Sequence, residues 1–347
     1  MKKTLVLLTF LVLMLLVACE SETPNDVEVL MYTNPVFASN RPDPSVVRDD
    51  DGYFYVFTTE TAGRYIPIMR SSNLVEWEDV GNVFGVRPTW GTPGANLWAP
   101  DVVRIGDQYV LYYSLSTWGD PNPGIGVATA DHPSGPWTDH GELFRSLDIG
   151  VNNSIDPVVF VGQDERVYMI WGSMRGLYGV ELTADGLALM DGEQAADTKV
   201  HIAGLPSHTP WNVDSYEAPY VIFHDGYYYL FMSSGTCCES LNSTYHIRVA
   251  RSTSPLGPYY DRQGRDMLEL SRGFMALNSS DHFVGPGHNA VIQDDAGDWW
   301  TLYHSFSQTN PNARLLMLDP LQWTDDGWPF VAGQNPSRGD VPYPHID

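Results

Sequence analysis

Beyond residue 30 the apolar positions alternate or gather in short blocks, and no stretch holds a helical period long enough for an amphipathic helix. Five segments repeat one order. An acidic residue or a histidine, usually beside proline or a small residue, precedes a short apolar run; a turn follows, then an aromatic-rich run ending in small polar residues. Asp43-Pro-Ser-Val-Val leads through Asp51-Gly52 to the run 53–59, and Asp101-Val-Val through Gly106-Asp107 to 109–114. Asp156-Pro-Val-Val-Phe leads to 167–173, Glu217-Ala-Pro-Tyr-Val to 227–234, and His288-Asn-Ala-Val-Ile to 299–305. The lead residues stand between 55 and 71 positions apart, which marks a repeated supersecondary unit. Asp-Gly and Gly-Asp turns between β-branched or aromatic runs predict a hairpin at the start of each unit. Apolar runs at 66–70, 125–129, 177–182 and 247–251 supply further strands. The pattern predicts an all-β fold, a five-bladed β-propeller over residues 34–347, whose innermost strands line a central channel. A sandwich would lack the recurrent lead residue, a solenoid would keep a shorter period, and an α/β fold would need helices between its strands.

The first residues follow a different pattern. Lys2 and Lys3 precede an apolar run, 5–17, broken only by Thr9 and too short for a membrane span. It ends in Leu16-Val17-Ala18-Cys19, which resembles a bacterial lipobox, so residues 1–18 are expected to be a lipoprotein signal peptide and Cys19 the lipidated residue. Residues 19–33 are expected to tether the fold to the membrane, making the protein extracytoplasmic and membrane-bound through its lipid alone. The other two cysteines, Cys237 and Cys238, are adjacent; two buried thiols are expected, with a vicinal disulfide as the alternative.

A formal net charge of −24 argues against nucleic acid as a partner and against polyanionic glycans, and favours a neutral polysaccharide. Equivalent blade positions converge on the channel, so Asp43, Asp101, Asp156, Glu217 and His288 are expected there together. Carboxylates brought so close perturb one another's ionisation, and a carboxylate pair suits the hydrolysis of an acetal, with one group giving a proton and the other taking one from water. A Gly-x-Ser-x-Gly elbow, a His-Glu-x-x-His zinc motif and a Gly-rich phosphate loop are missing from the sequence. The run Asp49-Asp50-Asp51 before Gly52 reads as a solvated hairpin turn.

The segments Arg41-Pro-Asp43-Pro-Ser-Val, Leu97-Trp-Ala-Pro-Asp101, Ser154-Ile-Asp156-Pro, Glu217-Ala-Pro-Tyr and Gly285-Pro-Gly-His288-Asn resemble, in order, the signature segments of glycoside hydrolase family 43. The resemblance implies a five-bladed propeller with its catalytic pocket at the central channel and hydrolysis with inversion. It further implies Asp43 as general base, Glu217 as general acid, and Asp156 as the residue that raises and orients the acid. Trp98, Asp101, Ser154, Ile155 and Ser173 are expected to bind substrate, and His288 to lie near a hydrated calcium ion. The stretch from Cys237 to Ser252 and Pro320-Leu-Gln-Trp323 resemble the endo-acting α-1,5-L-arabinanases of that family, which implies plant arabinan as substrate. Arg41-Pro42 departs from that group, which more commonly has histidine before Asp-Pro. Exo-acting arabinofuranosidase or xylosidase activity, and a non-catalytic glycan-binding propeller, stay open as alternatives, as does the oligomeric state.

Overall fold

The computed structural model describes residues 29–347. The signal segment and Cys19 lie outside the described residues. Five antiparallel sheets follow in chain order. Blade one comprises Ser45–Arg48, Phe54–Phe57, Tyr65–Ser71 and Glu78–Phe84; blade two Asn96–Ile105, Gln108–Ser116, Gly124–Ala130 and Thr138–Arg145. Blade three comprises Val158–Val161, Val167–Trp171, Leu177–Leu182 and Val200–Ala203; blade four Glu217–His224, Tyr227–Ser234, His246–Ser252 and Phe274–Leu277. Blade five takes Phe283–Gln293, Trp299–Ser307 and Asn310–Trp323 from the end of the chain and Phe37–Asn40 from its beginning, with Phe37 opposite Leu316. The five first strands touch one another cyclically, so the ring is closed. None of the described helices is long and apolar enough to cross a membrane.

The aromatic-rich second strands hold the ring together. A strand's side chains alternate between its two faces, and here each face meets a neighbouring blade. Tyr109, Leu111 and Tyr113 pack with Tyr55 and Phe57 of blade one, while Val110 and Tyr112 pack with Met169 and Trp171 of blade three. Likewise Tyr168 and Ile170 meet Leu230 and Met232 of blade four, and Tyr229 and Phe231 meet Tyr303 of blade five. Phe54 and Val56 close the circle against Trp300 and Leu302. One apolar cluster therefore sits at each blade interface. Strands buried on both faces read as continuous apolar runs, which is the sequence signal that located them.

The ordered fold begins before residue 34. Met31–Tyr32 pairs with Val341–Pro342, and the buried Tyr32 hydroxyl donates to the Leu318 carbonyl at 2.9 Å. The last residues assigned to the tether thus belong to the domain, because an aromatic ring there packs against blade five.

Candidate active site

A single backbone feature recurs where each blade meets the channel. Asp43, Ala99, Asp156, Ala218 and His288 all adopt a left-handed conformation, with φ between 41° and 57°. Such angles are uncommon outside glycine, although Asp and His tolerate them better than most residues. Register shifts flank three of these positions, between Trp98 and Asp101, Glu217 and Tyr220, and Gly287 and Ala290. A bulge of this kind turns a strand residue out of the pleat and aims it elsewhere.

The preceding blade anchors each bulge through its second strand. Thr59 Oγ1 accepts the Ala99 N–H at 2.7 Å, Ser114 Oγ the Asp156 N–H at 2.9 Å, and Ser233 Oγ the His288 N–H at 2.9 Å. His304 Nδ1 accepts the Asp43 N–H at 3.2 Å. Blade three is the exception: Ser173 Oγ donates to Glu217 Oε2 at 2.6 Å, and the Ala218 N–H goes to Asp156 Oδ2 at 3.3 Å. The small polar residues that end the aromatic runs are therefore the latches between blades.

This register corrects the sequence alignment of the repeats. The blade-two and blade-four equivalents of Asp43 are Ala99 and Ala218; Asp101 falls two residues later and Glu217 one earlier. Two residues along an inner strand take Asp101 away from the channel. Its Oδ1 accepts from Ser45 Oγ at 3.0 Å and its Oδ2 from the Val159 N–H at 2.7 Å, tying blades one, two and three. Burial holds its carboxyl up to about 6. Asp101 does not line the cavity, and neither does Ser154, whose hydroxyl donates to the Val151 carbonyl and accepts the Trp171 indole N–H. Arg41 also turns away, its guanidinium bonded to both oxygens of Asp79 at 3.0 Å.

A cavity of about 660 Å³ is lined by residues from all five blades, among them Asp43, Asp156 and Glu217 with Trp98, Ile155, Ser173 and His288. The sequence reading missed Arg314, Tyr245 and His304. Arg314 Nη1 lies 3.0 and 3.2 Å from the two oxygens of Asp43, and Thr59 Oγ1 donates to the same carboxylate at 2.7 Å. Burial would raise the Asp43 carboxyl, but Arg314, with His288 and His304 beside it, reverses this and holds the group well below the usual carboxylate range. The opposite holds for its neighbours. Burial first, then the charge of Glu217, raises Asp156 well above its ordinary value, and burial raises Glu217 against the hydrogen bonds from Ser173 and Tyr245. Burial also pushes the His288 imidazole down to about 4, so it is neutral at ordinary pH. One cavity thus holds an ionised carboxylate and a pair of carboxyls that favour a proton, which is the division acid–base hydrolysis requires.

Aromatic rings edge the cavity. Trp98 packs against Trp118 with centroids 5.6 Å apart, and Trp118 and Trp211 are 79% and 53% exposed at the rim. Cys237 and Cys238 also line it, joined by a disulfide rather than present as two buried thiols.

The sequence profile of "Glycosyl hydrolases family 43" matches residues 32–329. The chain belongs to family 43 of the glycosyl hydrolases. Among its family 43 relatives, the extracellular endo-α-(1→5)-L-arabinanase 1 of Bacillus subtilis (strain 168) is 30% identical over 83% of this chain and 86% of that protein. The extracellular exo-α-(1→5)-L-arabinofuranosidase of Cellvibrio japonicus (strain Ueda107) is 32% identical over 83% and 85%. The structure of Cellvibrio cellulosa α-L-arabinanase complexed with arabinohexaose superimposes with a TM-score of 0.74 at 30% identity, covering 84% of this chain and 95% of that one. This protein is a glycoside hydrolase with the five-bladed fold of those family 43 enzymes.

Proposed function

We propose that the protein cleaves α-1,5-linked L-arabinofuranosyl bonds within neutral arabinan chains outside the cytoplasm, inverting the anomeric carbon. The observation that carries this reading is the unequal setting of three buried carboxyls in one cavity: Asp43 is bonded to Arg314, which holds its carboxyl low, whereas burial raises both Asp156 and Glu217. Asp43 acts as general base and takes the proton of the attacking water. Glu217 acts as general acid and protonates the departing glycosidic oxygen. Asp156 Oδ2 accepts the Ala218 N–H next to Glu217, so it positions the strand that bears the acid, and the two neighbouring carboxyls disfavour being ionised together. Trp98 offers an indole face to the sugar.

Relatives named for endo and for exo action stand at similar identity. The exposed indoles at the rim favour internal cleavage, since a chain that runs past the scissile bond needs a surface on both sides of it. Incubation with debranched arabinan, xylan and galactan is expected to yield a ladder of arabino-oligosaccharides from the first alone. Arabinose as the sole early product would establish exo action, and xylan as the only substrate cleaved would overturn the specificity. Glu217→Ala is expected to lower kcat on arabinan at least about a hundredfold; turnover equal to wild type would remove Glu217 as the acid.

The hydrated calcium ion implied by the resemblance finds a partial donor set. His288 is neutral and so has a lone pair free for a metal, but the Asp43 oxygens are already bonded to Thr59 and Arg314. Calcium takes six to eight oxygen ligands, so water would have to supply nearly all of them. Bound beside His288, the ion would add positive charge near Asp43. Adding calcium to chelator-treated protein is expected to raise Tm in the wild type and not in His288→Ala; equal responses would exclude this site.

A further inference from the structure

Blade four contributes more to the cavity than the acid. The loop that follows its second strand brings Gly235, Thr236, Cys237, Cys238 and Glu239 to the cavity wall before returning to Tyr245, which lines the same cavity as Glu217. The loop is tightly braced. Gly235 has φ +92°, and a Cβ there would meet the Thr244 carbonyl oxygen at 2.3 Å, so only glycine fits. The Thr236 N–H donates to Thr244 Oγ1 at 3.0 Å, Ser243 Oγ to the Thr236 carbonyl at 2.5 Å, and Ser240 Oγ to the Pro311 carbonyl at 2.6 Å.

At the tip of this frame the chain carries a disulfide between residues one position apart. Disulfides stabilise folds mainly by closing loops in the unfolded chain, and neighbouring residues close essentially none. The bond must matter for the surface it makes. Two free thiols would be rotatable weak donors, whereas the bridged pair is a fixed, apolar, polarisable patch. Cys237 is half-buried and Cys238 exposed, and both line the cavity next to the acid's own blade. The acid protonates the oxygen that departs with the leaving group, so groups beside Glu217 on blade four face the leaving sugar.

We propose that the Cys237–Cys238 disulfide is the apolar wall of the subsite for the leaving sugar, packing against the C–H face of a neutral pentose, an inference that rests on the hydrolase reading above. The bridged pair is a positioning element and takes no part in bond making or breaking.

The test compares the wild type with Cys237→Ser/Cys238→Ser on arabinohexaose, measuring kcat and KM separately, together with Tm. The double variant is expected to raise KM about tenfold, with kcat within about twofold, since only the dispersion contacts of one wall are lost. Its Tm is expected to stay close to wild type. Mild reduction of the wild type should reproduce the KM change and reoxidation should reverse it, which covers the case of a double variant that does not fold. An unchanged KM in both, or a Tm that falls along with kcat, would overturn the proposal, the latter by making the bond a staple of the fold. A wild type with no turnover of arabinohexaose would instead overturn the hydrolase reading itself.

Discussion

Arg314 separates Asp43 from the other two buried carboxyls. All three lose water on folding, which penalises the charged form, yet only Asp43 has a guanidinium within 3.0 Å. Replacing that cation is expected to move the acid limb of kcat/KM. In Arg314→Met the Asp43 carboxyl rises, so activity should be lost at a pH higher by roughly one to three units as pH falls. Stability has the same sign. A carboxyl depressed in the folded state stabilises above its unfolded value of about 3.9 and loses that contribution as pH falls through the folded value. The Tm gap between wild type and Arg314→Met should therefore be open at pH 7 and narrow below about pH 4. A limb and a gap that do not move would remove Arg314 as the group holding Asp43 ionised. Asp43, Asp156 and His288 were legible in the sequence because each leads its repeat at the left-handed position. Asp101 and Ser154 were misplaced for a physical reason: beside a left-handed residue, one or two positions decide which way a polar side chain faces. Arg314 comes from the third strand of blade five, just ahead of the apolar run Leu315–Leu318, and no lead motif marks it. A lone arginine entering such a run was the available signal.

At the scale of the strand, the hydroxyls that end the aromatic runs carry the joints between blades. Ser114→Ala would leave the buried Asp156 N–H without its partner, at a cost of about 1–3 kcal/mol. The same change should lower kcat more than it raises KM, because the strand it loosens bears the residue that orients the acid. Urea titration and steady-state kinetics check both; a stability loss with kcat unchanged would separate the latch from the chemistry. The strands themselves were the most legible part of the sequence. The expected third strands at 66–70, 125–129, 177–182 and 247–251 all lie within observed ones. Outer strands were harder to see, since sequences such as Glu78–Phe84 and Thr138–Arg145 are half exposed and interrupted by glycine.

The ring's last blade is completed by a strand from the beginning of the chain. Phe37–Asn40 completes blade five, and Tyr32 packs in the cluster that joins blades five and one. A chain starting at residue 42 would expose the edge of Asn310–Trp323 and open that cluster. Exposed edges of this kind pair with other chains, so the shortened protein is expected to aggregate, as sedimentation would report. A soluble, active monomer would mean that the ring needs no closing strand. The sequence pattern counted five blades but could not show that the fifth is shared between the two ends. Phe37–Asn40 has only four residues and pairs with a strand more than 270 positions away, beyond the reach of any local signal.

That pairing also sets an order in time. During synthesis Phe37 emerges early, whereas its partner Leu316 emerges when almost the whole chain is out. Blades one to four can each form from neighbouring residues as they appear, but the fifth must wait, and with it the seam that aligns Asp43 with His304 and Arg314. The contacts of Asp43 with His304 and Arg314 therefore cannot form until nearly all of the chain is out.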